Sequence, residues 1–150
     1  MILAPAGGRY TLPRTFGRAP SAMAVRIVRL GSARAPDEGL RIGTVRYPPR
    51  GVPKRAYSAQ NWYDVWLPEL APGRQALKQA QTAATEREWA AFVRRYRSEM
   101  AAPDKTRMLD LLSAISHQTN FSLGCYCADE SRCHRSVLRA LLRERRATII

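Results

Sequence analysis

The chain has 150 residues, 45% of them hydrophobic, which suits a single domain with its own core. Its 25 Lys and Arg against 12 Asp and Glu give a formal charge of +13, pointing to polyanions or to small ligands bearing phosphate or carboxylate. No apolar run is long enough to span a bilayer, and three cysteines, two of them separated by one residue, argue against a secreted disulfide scaffold and for a reducing cytoplasm.

Residues 1–22 mix Pro, Gly and Arg without a sustained apolar stretch, so they read as a disordered leader ahead of one domain over 23–150. Apolar alternation from Ala24 to Leu30 predicts a first strand. Pro36-Asp37-Glu38-Gly39 is a turn by composition, and a second strand runs from Leu40 to Tyr47. Pro48 and Pro49 stop it, because proline has no N–H to give a ladder. A basic loop with Arg46, Arg50, Lys54 and Arg55 follows. Ser58 is expected to cap a helix carrying Trp62, Val65, Trp66 and Leu70, broken at Pro68 and again at Pro72-Gly73. Arg74 to Ala84 is weakly helical. Thr85 and Glu88 have capping-box spacing and open a helix to about Ala101, with Trp89, Phe92, Val93 and Tyr96 as its apolar stripe. Pro103 starts another, which buries Met108, Leu111, Leu112 and Ile115 and ends near His117. All three tryptophans fall on helical stripes, which assigns them to the core rather than to stacking platforms.

The most informative stretch is Phe121 to Arg146. Phe121, Leu123, Cys125 and Cys127 alternate as on a strand, and 128–132 form a polar loop that Asp129 or Ser131 can cap. From Cys133 the period turns helical, with Val137, Leu138, Leu141 and Leu142 on one face. The order β-β-α-α-α-β-α predicts an α/β fold: a small, mostly parallel sheet with helices on both faces, a Rossmann-like three-layer sandwich. In such a sheet the basic loop and the cysteine loop leave from one C-terminal edge, where open α/β sheets bind ligands.

Three blocks, RIGTVRYPPRGVPK, WYDVWLPELAPG and EWAAFVRRYRSEM, together resemble the YeaO-like family, known as domain of unknown function 488. Arg46, Pro49, Arg50 and Gly51 match the family's first pattern. Trp66, Leu67, Leu70, Ala71 and Pro72 match the second, and Phe92, Arg95 and Tyr96 the third. Val45 stands where the pattern has Asp, and Pro48 where it has Trp. The final block, Cys125-Tyr126-Cys127 through Cys133-His134-Arg135, resembles the Cys…Cys-His-Arg signature of the broader family. The resemblance covers about residues 24–146 and implies an α/β fold with no settled activity.

Three chemistries compete for this block. Cys133 and His134 are the candidate catalytic residues, since a cysteine flanked by Arg132 and Arg135 at a helix start has its thiolate favoured. Arg46, Arg50, Arg132 and Arg135, with Cys125 and Cys127 lining the pocket, are the candidate binders of a small phosphorylated, nucleotide-like or other anionic ligand. Cys125, Cys127, Cys133 and His134 also have the donor types for tetrahedral zinc. Spacing weighs against the metal, because successive residues at a helix start diverge by roughly 100°. With the same divergence, a Cys–His pair would need His117 or a movement of the loop. The sequence leaves any cofactor unknown. A rival reading is a nucleic-acid-binding module using the basic helices, with Arg94, Arg95, Arg97, Arg139 and Arg143. A last possibility, that the cysteines are merely small buried hydrophobes, needs no ligand.

Overall fold

The structure is a computed structural model that describes residues 22–150. The expected leader lies outside these residues except for its last position. Four strands, β1 (Val25–Arg29), β2 (Leu40–Gly43), β3 (Val65–Trp66) and β4 (Phe121–Cys125), form one sheet. All are parallel, in the order β1-β4-β2-β3. The helices are α1 (Arg74–Thr82), α2 (Glu86–Met100), α3 (Pro103–Ile115) and α4 (His134–Glu144). This is the small parallel α/β architecture expected, and among the described residues no helix is long and apolar enough to cross a membrane.

The helices form where their signals are strongest. Thr85 Oγ1 accepts from Glu88 N–H while the Glu88 carboxylate accepts from Thr85 N–H, so the capping box closes both ways. Pro103 occupies the first turn of α3. Of the face expected to be buried, Leu112 is buried and Met108 and Ile115 pack on the core, but Leu111 is 60% exposed and Leu109 takes its place inside. All four helices contribute to one apolar cluster against Val25, Ile42, Phe121 and Leu123.

The third layer is built from the segments 30–39 and 45–64, which include a 3-10 turn at Lys54–Ala56. They press on the sheet at its two glycines. A Cβ at Gly43 would lie 2.4 Å from Tyr63 Cδ1, and one at Gly124 would lie 2.4 Å from Leu30 Cδ2. Beneath this layer Arg41 and Glu38 form a fully buried ion pair at 2.9 Å. Arg41 Nη1 also donates to Ser32 O and Asn61 O, so the charge is hydrogen-bonded on several sides.

The helix expected after Ser58 is not there, and β3 takes its place at the sheet edge. The reason is Asp64. Its carboxylate accepts from Ser58 Oγ, from both Arg34 terminal nitrogens and from Arg41 N–H. The hydroxyl that would have capped a helix is therefore spent on docking this segment to β2. Trp66 Nε1 then donates to Val45 O at 2.7 Å, which leaves the ring 42% exposed rather than in the core. Trp62 and Trp89 are half-buried. Strand β2 stops at Gly43 instead of Tyr47, although Thr44 N–H still donates to Gly124 O.

Candidate functional site

Because β2 and β4 are adjacent and parallel, the chain leaves both at the same edge of the sheet. Strand β4 delivers Cys125 there. Asp129 then accepts from Ser131 N–H and caps a single 3-10 turn at Glu130–Arg132. Cys133 is the N-cap of α4, with extended backbone angles of φ −133° and ψ 150°. This corrects the expectation that Cys133 and His134 diverge. The helical 100° step begins only at His134, so Cys133 Sγ and His134 Nδ1 come to 3.7 Å. His117 is not needed for a Cys–His pair; it bonds Thr148 at the far end of α3.

Five side chains converge. Cys125 Sγ lies 3.8 Å from Cys127 Sγ, and Arg135 Nε donates to Cys133 Sγ at 3.4 Å. Arg135 Nη2 donates to Cys127 O at 2.6 Å, which ties the cysteine loop to the helix. His134 Nε2 faces Thr44 O at 2.8 Å and Thr44 Oγ1 at 3.1 Å. A carbonyl only accepts, so the neutral ring carries its hydrogen on Nε2 and turns the Nδ1 lone pair towards Cys133. Tyr96 packs its ring against His134 with centroids 5.6 Å apart, and its buried hydroxyl donates to Leu70 O. Burial, with the neighbouring cysteines and Glu99 adding to it, pushes that hydroxyl well above its ordinary pKa, so it stays neutral.

The three thiols differ in acidity. Hydrogen bonds to Cys127 and Cys133, with burial, push Cys125 up, so it remains a thiol and donates. Cys127 is pulled well down, first by the hydrogen bonds from Cys125 and Cys133 and then by the Arg135 charge. Cys133 is also lowered, first by Cys125 and then, against the opposing effects of Cys127 and burial, by His134. Cys127, beside Arg135, is therefore the most acidic of the three, and Cys133 loses its proton more readily than an ordinary thiol.

A cavity of about 120 Å³ opens onto this cluster, walled by Cys125, Cys127, Cys133, His134 and Arg132, with Pro72 and Phe92 on its apolar side. The expected arginines are distributed unequally around it. Arg135 is in the cluster. Arg132 pairs with Glu86, and its guanidinium lies 5.6 Å over the Trp89 ring. Arg46 donates to Ala71 O and Pro72 O, both at 3.0 Å, and so holds up a wall of the cavity. Arg50 lines a separate cavity of about 310 Å³. On the helices, Arg97, Arg139 and Arg145 are engaged by Glu144, Glu130 and Asp110.

The donor atoms of Cys125, Cys133 and His134 all lie within 4.8 Å of one another. Two cysteine sulfurs and an imidazole, with Cys127 beside them, suit a soft or borderline ion such as zinc, which would draw the proton off Cys125, and the His134 Nε2 contact to Thr44 O is the outer-shell bond typical of a ligating histidine. Sequence reasoning missed Thr44 and Tyr96. Thr44 is one step beyond the β2–β4 register pair of Gly43 with Gly124, so strand pairing would have revealed it.

A parallel sheet whose strand ends present a thiol–imidazole–guanidinium cluster at a helix start defines a small α/β protein with a cysteine-centred site. The model of the family DUF488-N3a, described as the active DUF488-N3 subclade, matches residues 25–146. The chain belongs to this DUF488, or YeaO-like, family. No curated protein and no solved structure matches it.

Proposed function

We propose that the chain is an enzyme that uses a cysteine thiolate on a small anionic, phosphorylated or nucleotide-like substrate. One observation carries this: Cys133 Sγ is met by both His134 Nδ1 and Arg135 Nε at the wall of a cavity that Arg132 also lines. Cys133 gives its proton to Nδ1, and the thiolate attacks the substrate's electrophilic centre. A bond to sulfur forms as the leaving group departs with the proton held on Nδ1. Water then cleaves that bond and restores the thiol. Arg132 exchanges Glu86 for the substrate's anionic group, Arg135 steadies the thiolate, and Thr44 holds the imidazole in the required tautomer. Three free cysteines suit a reducing cytoplasm, and the family's description as active agrees with a working site.

The test compares iodoacetate with neutral iodoacetamide on the full chain at neutral pH, with peptide mapping. Iodoacetate should modify Cys133 faster, phosphate should protect it, and Arg132→Ala should abolish the preference for the anionic reagent. Faster reaction with iodoacetamide and no protection by phosphate would overturn the reading.

A second reading is favoured by the closeness of the Cys125, Cys133 and His134 donor atoms: a metal centre in which the thiolates are ligands. The two readings separate on metal content and on whether the thiols are free to react.

A further inference from the structure

Trp62 and Tyr126 stand at the same edge of the sheet but take no part in the thiol cluster. Their rings meet edge to face, with centroids 5.9 Å apart and planes at 74°. The pair forms a wall common to two open cavities of about 370 Å³ and about 310 Å³. Each volume is at the lower end of the range for small-ligand pockets. Arg29 and Ser32 bound the first cavity, and Tyr47, Pro49 and Arg50 the second. Each half thus offers aromatic surface and one guanidinium.

The wall is fixed in place. Tyr126 Oη donates to Tyr47 O at 2.9 Å, and Arg29 Nε donates to Tyr126 O at 3.2 Å. Gly31, at φ +88°, lets the Trp62 ring lie over the backbone, since a Cβ there would sit 3.0 Å from Trp62 Cζ3. Among the described residues Arg29, Arg50, Lys54 and Arg55 form no ion pair with an acid.

We infer that this two-part groove binds single-stranded nucleic acid, the bases against Trp62, Tyr126 and Tyr47 and the phosphates at Arg29 and Arg50. An aromatic surface repeated beside a cation matches a polymer that alternates base and phosphate. A duplex hides its base faces in its stack, so aromatic side chains favour a single strand. The net charge of +13 supplies the long-range attraction. The site uses residues different from those of the thiol chemistry, so either can fail without the other.

Fluorescence anisotropy of the full chain with labelled oligothymidylate, oligouridylate and a duplex of equal length tests the inference. Single strands should bind more tightly than duplex. Trp62→Leu should weaken binding by about fivefold or more, as loss of one base–aromatic stack does. Arg50→Ala should also flatten the salt dependence by about one phosphate contact between about 50 mM and 200 mM salt. Arg143→Ala, on an exposed turn of α4, should change neither. Trp62 packs on a buried cluster, so Tyr47→Ala, at a ring already 52% exposed, serves as the second variant and should weaken binding at an unchanged melting temperature. A preference for the deoxy or the ribo strand would identify the natural ligand, and either sustains the inference. Equal affinity for duplex, equal affinity for a mononucleotide, or wild-type binding by Tyr47→Ala and Arg50→Ala would overturn it.

Discussion

Cys133 owes its surroundings to its own backbone. Held extended at the N-cap, it faces both the residue after it and the one after that, which a helical residue does not do. The sequence marked Cys133, His134 and Arg135 as chemically suggestive but misplaced their geometry, because periodicity alone started the helix one residue early. Two carboxylates, buried Glu38 and the more open Asp64, gave less warning still. Glu38 reads as a turn residue, yet it neutralises Arg41 inside the third layer. Glu38→Ala should cost about 3–5 kcal/mol in a urea melt, because it strands a buried guanidinium. Asp64 is held down at about 2 from its ordinary 3.8: burial would raise it, but hydrogen bonds from Arg34, Ser58 and Arg41 N–H together outweigh that effect. Its unfolded form takes up protons first as pH falls, so its contribution is complete above about pH 4 and is lost towards pH 2. Asp64→Asn should therefore lower stability at mild pH, with the gap to wild type closing towards pH 2. A gap that is constant with pH would contradict the assignment.

Among the elements, those with end signals were legible: the capping box of α2, Pro103 of α3 and the apolar stripe of α4. Strand β3 was not, since its two residues carry no period and its place depends on Asp64 reaching β2 across 23 positions of sequence. Leu111 of α3 was misjudged for a related reason: both Leu111 and Leu112 fit a helical stripe, and only the neighbouring layers decide between them. Helix α4 joins site and core, with His134 in its first turn and Leu138 fully buried one turn later. Leu138→Ala should destabilise the protein by about 2–5 kcal/mol, read from the denaturation midpoint. A change within experimental error would mean that α4 is not anchored as described.

At the scale of the molecule, parallel topology does most of the placing. Strands β2 and β4 are neighbours separated by nearly the whole middle of the chain, and their pairing sets Thr44 against His134 and brings the wall carbonyls held by Arg46 to the cysteine cavity. The common edge follows from the α/β order and was readable; which arginines point into the cavity was not, because guanidiniums turn to whichever carbonyl or carboxylate packing supplies. The central claim is that the cluster is a free, reactive thiol centre. Metal analysis of the full chain as purified, run together with a native thiol titration before and after chelation, tests it most directly. Well under one equivalent of metal, with thiols that react without a chelator, is the expected result. One equivalent of zinc, with thiols that react only after its removal, would contradict it.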